Sequence, residues 1–253
     1  MNRCSPRGVA CLAAIIAVYH AVPASAATSA DAKKLSVATY RCRSLAELVS
    51  CDAALNMRPN DPELLMAEAD ALMKHRRPGE AIGVYRNALK WGASAELVGT
   101  DIAAAQVQRK VMVDACQSNA GETGERACEG AWLPGAPDEV ALFKRRGLLL
   151  RELHHADEAL SAYMAAARLA PQDRNVARAV LDLSAGHRYD AATLLARGSA
   201  LLTLSRPAEA SVEFKRALRL APNLAEAKLR LRIAERAIPP QAAGNSAGGG
   251  DIG

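Results

Sequence analysis

The chain has 253 residues, 50% of them hydrophobic but only 4% aromatic, so alanine, leucine and valine must build its core, as in stacked helices. Its 32 basic and 27 acidic residues give a net charge of +5. That excess is too modest to argue for nucleic acid, and no nucleic-acid partner is expected.

Arg3 and Arg7 precede an apolar stretch over residues 9–22, and Ala24-Ser25-Ala26 supplies the small-x-small pattern that signal peptidase prefers. Residues 1–26 are therefore predicted to be a secretory signal peptide. A membrane anchor fits less well, because the stretch is interrupted by His20 and falls short of the roughly 20 residues a spanning helix needs. Lipidation of Cys11 is disfavoured because the apolar region follows that cysteine rather than preceding it. Cleavage leaves 30 basic against 27 acidic residues, a net charge of +3. The expected product is periplasmic and has no transmembrane anchor. Heavy use of Ala, Leu and Arg suggests a GC-rich bacterial source.

Residues 27–43 are expected to be irregular, with a helical domain over 44–238. Residues 44–57 place Leu45, Leu48, Ala54 and Leu55 at helical spacing before Pro59. From residue 62 to 95 the chain runs Leu65, Ala69 and Leu72, a turn at Arg76-Arg77-Pro78, then Ala81, Tyr85, Ala88 and Ala93. Residues 95–118 form a helix by pattern, with Leu97, Ile102, Ala105, Val111 and Val113 apolar, but no aromatic residue and alanine follow in phase. Residues 119–136, rich in glycine and carrying Cys128, Trp132 and Pro134, are expected to be a loop.

Residues 140–173 return to the pattern with Phe143, Gly147 and Leu150, a turn near His154-His155, then Ala159, Tyr163, Ala166 and Pro171. An additional helix over 175–184, with Val176, Ala179, Val180 and Leu183 on one face, fits a decayed half-unit. Residues 191–224 give Leu194, Gly198 and Leu201, a turn at Ser205-Arg206-Pro207, then Ala210, Phe214, Ala217 and Pro222. Asn223 and Glu226 make a capping-box-like start to a closing helix over 224–237. The tail from residue 239 to 253 is Pro-, Ala-, Gly- and Ser-rich and is expected to be disordered.

The thrice-repeated phrase resembles the tetratricopeptide repeat, a helix-turn-helix unit of about 34 residues. The resemblance implies an all-α, right-handed α-solenoid, with residues 44–57 as the second helix of an incomplete first unit and Cys51 in its aromatic place. Such arrays bind partners far more often than they transform substrates. By repeat phase the first helices would line a groove with Glu63, Met66, Asp70 and Met73, then Lys144, Arg145, Leu148 and Arg151, then Leu195, Ser199 and Leu202. A groove basic at its centre suits an acidic peptide. It lacks the paired Lys and Asn with which chaperone-tail-binding relatives clamp a terminal carboxylate.

Four cysteines remain after cleavage, Cys42, Cys51, Cys116 and Cys128, and none forms Cys-x-x-Cys. They allow three connectivities, of which adjacent pairing is preferred because each short loop would staple a weak part of the array. The motifs of zinc hydrolases, serine nucleophile elbows and phosphate loops are absent from the chain. His154-His155, His75 and His187 fall in turns and suit solvent better than a metal or catalysis. The chain is accordingly expected to be no enzyme, to hold no cofactor or metal, and to act as an exported adaptor for a protein or peptide partner. A pocket under Trp132, serving an accessory role beside a periplasmic enzyme, is the alternative, and a homodimer through an unpaired end is compatible with either.

Overall fold

Each stretch carrying the repeated phrase folds as two helices joined by one turn geometry. The computed structural model describes residues 29–185 and 190–239, which leaves residues 1–28, His187 and most of the predicted tail outside the described residues. The pairs are α3 (Pro62–Lys74) with α4 (Pro78–Lys90), α7 (Glu139–Glu152) with α8 (Ala156–Leu169), and α10 (Ala191–Thr203) with α11 (Pro207–Leu220). In each turn one residue takes a left-handed conformation: Arg76 at φ 58°, His154 at 62° and Ser205 at 63°. The next amide then reaches back to close the first helix, Arg77 N to Leu72 O at 2.9 Å, His155 N to Leu150 O at 2.8 Å and Arg206 N to Leu201 O at 2.9 Å. This is the Schellman closure of a helix C-terminus, made here without glycine.

A fourth turn with a left-handed residue lies at Ala46, φ 54°, where the next amide, Glu47 N, reaches one residue further back, to Arg41 O at 3.3 Å. It joins α1 (Ser29–Leu45) to α2 (Leu48–Met57), so the segment expected to be irregular is a 17-residue helix and residues 44–57 are not one helix. Counting from this turn also corrects the place of Cys51. Cys51 stands where Ala81, Ala159 and Ala210 stand, three residues beyond the first residue of its helix, and Leu55 holds the aromatic place. Cys42 and Cys51, nine residues apart, form a disulfide with Cα atoms 4.6 Å apart. In the other units the same places hold Leu72 with Ala81, Leu150 with Ala159 and Leu201 with Ala210, each pair buried in one cluster. The disulfide is the covalent form of a contact the repeat otherwise makes by packing.

The aromatic residue sits on the small residue of its own unit. A Cβ added to Gly147 would lie 2.8 Å from Tyr163 Cε2, and one added to Gly198 would lie 2.8 Å from Phe214 Cδ1. The other side of the ring meets the following helix: Tyr163 packs with Val176 and Val180, and Tyr85 with Val98 and Ala105. One side chain thus cements both contacts.

The 119–136 segment is a further correction. Its centre is a helix, α6 (Gly121–Ala131), which pairs with α5 (Ala95–Ser118). Gly124, Cys128 and Ala131 fall three, seven and ten residues beyond the helix's first residue, as do Ala81, Tyr85 and Ala88 in α4. Cys128, not Cys51, therefore takes the aromatic place, and its disulfide to Cys116 on α5, with Cα atoms 4.6 Å apart, joins the pair. The glycines allow close approach rather than flexibility. A Cβ on Gly130 would strike Met112 Cε and the Arg76 backbone, and one on Gly124 would strike the Asn119 backbone. Arg109 of α5 ties down the exit from α6, donating to Ala131 O at 2.7 Å and to Asp138 at 2.5 Å.

Successive helices run to and fro between two layers. Among the described residues α1 lies beside α3 and α5 beside α7 in one layer, while α4 lies beside α6, and α8 beside α10, in the other. A single helix, α9 (Arg174–Ser184), intervenes between α8 and α10. Asp173 caps it, accepting from Asn175 N at 2.9 Å and Val176 N at 3.1 Å. Arg197 of α10 donates to Ser184 Oγ at 2.7 Å and pairs with Glu213 of α11 at 3.6 Å, so the inserted helix is bolted to the last full unit. The closing helix, α12 (Ala225–Ala237), begins without the side-chain cap expected from Asn223. Leu224 is its N-cap, and Glu226 instead pairs with Arg230 at 2.8 Å.

Candidate functional site

The inserted α9 decides which side chains share a face. On the layer of α3, α5 and α7, Glu63 is exposed and paired with Arg43 of α1 at 2.6 Å. Met66 and Met73 are half-buried against the α3–α4 core. Asp70 accepts from Tyr85 Oη at 2.6 Å. Burial, then Asp70, raises the neighbouring Asp101 carboxyl above its ordinary range. Further along, Lys144 is paired with Asp173 at 2.7 Å. Arg145 is spent on the end of α5, donating to Cys116 O at 3.1 Å and Asn119 O at 2.9 Å. Of the three basic residues expected at a groove centre, Arg151 alone is exposed and without a carboxylate partner among the described residues.

Leu195, Ser199 and Leu202 belong elsewhere. Because α10 lies beside α8 and not α7, Leu195 and Ser199 open onto the opposite layer, in a cavity of about 190 Å³ with Met164, Ala167 and Arg168 of α8 and Glu226 and Arg230 of α12. The sequence-derived groove residues thus divide into two surfaces, with Leu202 half-buried against the α10–α12 core.

Arg168 also lines a second cavity, of about 270 Å³, with Trp132, Phe143 and Arg146. The Trp132 and Phe143 rings lie 6.1 Å apart and tilted by 53°. Trp132 Nε1 donates to Glu139 Oε1 at 2.9 Å, while Gly135 N donates to the other oxygen at 2.9 Å. Glu139 thereby folds the link into α7 and fixes the indole. At the rim Arg77 grips Glu80 with two bonds of 2.7 Å, and Arg146 holds Glu125 at 2.7 Å and Glu129 at 3.6 Å. Trp132 stands out in the sequence, whereas Arg168 does not, since a single arginine late in a helix carries no spacing signal.

A surface missed altogether is the outer stripe of α5. Leu97, Val107 and Val111 are 63%, 69% and 59% exposed, in a helix of 24 residues where its neighbours α4 and α6 have 13 and 11. Val111 and Leu97 were visible as apolar residues, but their helix was expected to face a loop.

With four turns each built on one left-handed residue and aromatic rings seated on facing glycines, the chain is an all-α array of helix-turn-helix repeats. No family profile matches it, and no curated protein does. Among solved structures it is similar to the crystal structure of MamA protein, at 16% identity and TM-score 0.27 over 77% of this chain and 96% of that one. It is also similar to YrrB, described as a TPR protein with an unusual peptide-binding site, at 16% identity and TM-score 0.25 over 74% of this chain and 99% of that one. Among the described residues no helix is long and apolar enough to cross a membrane.

Proposed function

We propose that the protein is an exported scaffold that holds a protein or peptide partner, and that it serves in the periplasm in assembling a cell-envelope complex such as a secretion system. The observation that carries this reading is the open recess to which α7, α8, α10 and α12 all contribute, divided into two cavities that share Arg168. Recesses built jointly by several repeats are where such arrays hold extended ligands. The two disulfides support an oxidising compartment. The test is affinity capture by the tagged protein from envelope extract, beside Ala167→Glu, which puts a charge into the 190 Å³ cavity. A partner held by the wild type and lost by the folded variant is expected. Equal capture by both would move the contact away from the recess.

One observation favours the accessory reading, in which the protein binds a small ligand beside a periplasmic enzyme: Trp132 does line a cavity. At about 270 Å³, however, that cavity falls just under the roughly 300–1,000 Å³ of small-molecule sites, and it suits a peptide side chain better. A homodimer would form through the α1–α2 end, where Tyr40 is 62% and Val49 81% exposed. Sedimentation of Tyr40→Glu and Val49→Glu beside wild type checks this, with loss of any concentration-dependent dimer expected.

A further inference from the structure

The charged side chains around the recess are held in ion pairs, with one exception. Arg77 is matched by Glu80, Arg146 by Glu125 and Glu129, Arg230 by Glu226, and Asp173 by Lys144. Arg168 is exposed, lines both cavities, and forms no ion pair among the described residues, since the carboxylates that share its walls are held by other cations. Either side of it is apolar: the tilted Trp132 and Phe143 rings on one flank, and Met164, Leu195 and Ala196 on the other. The cavities, of about 270 and 190 Å³, are of the size of single side chains rather than of a folded domain.

From this arrangement we infer that the recess binds an extended segment of its partner in which a carboxylate side chain is flanked by two apolar ones. The larger apolar side chain, aromatic by preference, stacks against Trp132 and Phe143. The carboxylate pairs with Arg168 in the fork geometry that guanidinium offers to two oxygens. The smaller, aliphatic side chain enters the cavity between α8 and α10. The site is not the groove along the first helices of the units. It exists because α9 brings the first helix of the last unit, α10, beside the second helix of the preceding one, α8. The inference rests on the scaffold reading and specifies its ligand.

The experiment is selection of a random octapeptide phage library on the oxidised full chain, in parallel with Arg168→Gln and Arg168→Glu. Arg168 makes no contact on which the fold depends, so both variants should keep the circular dichroism spectrum of the wild type. Wild type is expected to enrich an acidic residue with apolar neighbours on both sides. Arg168→Glu should enrich a basic residue at that place, an exchange that a merely structural arginine would not produce. A synthetic peptide of the wild-type consensus should bind Arg168→Gln about tenfold more weakly, as expected for one charge-assisted pair. A consensus without acid, the same consensus from wild type and Arg168→Glu, or no enrichment at all would each overturn the inference. Should capture from envelope extract still yield a partner in those cases, the scaffold reading stands and only the ligand chemistry fails. If capture also fails, both fall.

Discussion

At the scale of single residues, the turns carry a cost that the rest of the unit overcomes. A left-handed conformation disfavours any side chain by about 1–2 kcal/mol, and Ser205, at φ 63°, is exposed with no packing to offset it. Ser205→Gly should raise stability by about 0.5–1 kcal/mol, the conformational gain exceeding the entropy added to the unfolded chain. Urea titration reads this directly. The opposite sign is expected at Gly198, where a Cβ would lie 2.8 Å from Phe214 Cδ1. Gly198→Ala should destabilise by about 1–3 kcal/mol through overpacking. These two positions show what was legible. Gly198 could be read from sequence as a small-residue place, because the repeat phase demanded close approach there. The left-handed place in each turn could not, because Ala46, Arg76, His154 and Ser205 have no residue type in common.

At the scale of elements, helix starts and disulfides set the balance. Asp173 caps α9, and hydrogen bonding to Lys144, with help from the Val176 and Asn175 amides, holds its carboxyl below the ordinary aspartate value of 3.8. A carboxyl depressed in the folded state contributes stability above its unfolded value and loses it as pH falls through the folded one. Asp173→Ala should therefore cost about 1 kcal/mol at pH 7, and the gap between variant and wild type should close below about pH 4 in thermal melts, as the carboxyl titrates. The Cys42–Cys51 bridge makes a second comparison. Its loss should cost roughly 3 kcal/mol in the chain-entropy picture. Replacing the pair with the residues other units use, Cys42→Leu with Cys51→Ala, should leave a more stable protein than Cys42→Ser with Cys51→Ser.

The same bridges explain why the pair α5 and α6 was hard to recognise. The aromatic marker is replaced by Cys128 and the alanine at the first marker place by Gly124. The close contacts of Gly124 and Gly130 with neighbouring backbone leave a glycine-rich composition that reads as a loop. Periodicity reveals a helix with an apolar stripe; it fails where the stripe is made of glycine and a disulfide.

At the scale of the whole molecule, stability is a sum over neighbours, so the two ends should open independently. Reducing the disulfides should expose amides of α1 and α2 to hydrogen exchange within minutes, while α10 and α11 keep their protection. Uniform loss of protection would mean that the array unfolds as one unit.

The lone helix α9 has an effect that outlasts its own contacts. In a two-layer array a helix's side is fixed by counting from the start, odd to one side and even to the other, so every helix beyond an insertion obeys a parity rule. Adding a whole repeat lengthens the molecule and preserves every later address. Adding one helix inverts them all, which turns α10 and α12 toward the side of α8 without altering a residue in them. A chain of this kind can acquire a new binding face by an insertion of about a dozen residues, and a copy that lost α9 would keep each unit intact yet present Leu195 and Ser199 on the far side from Trp132.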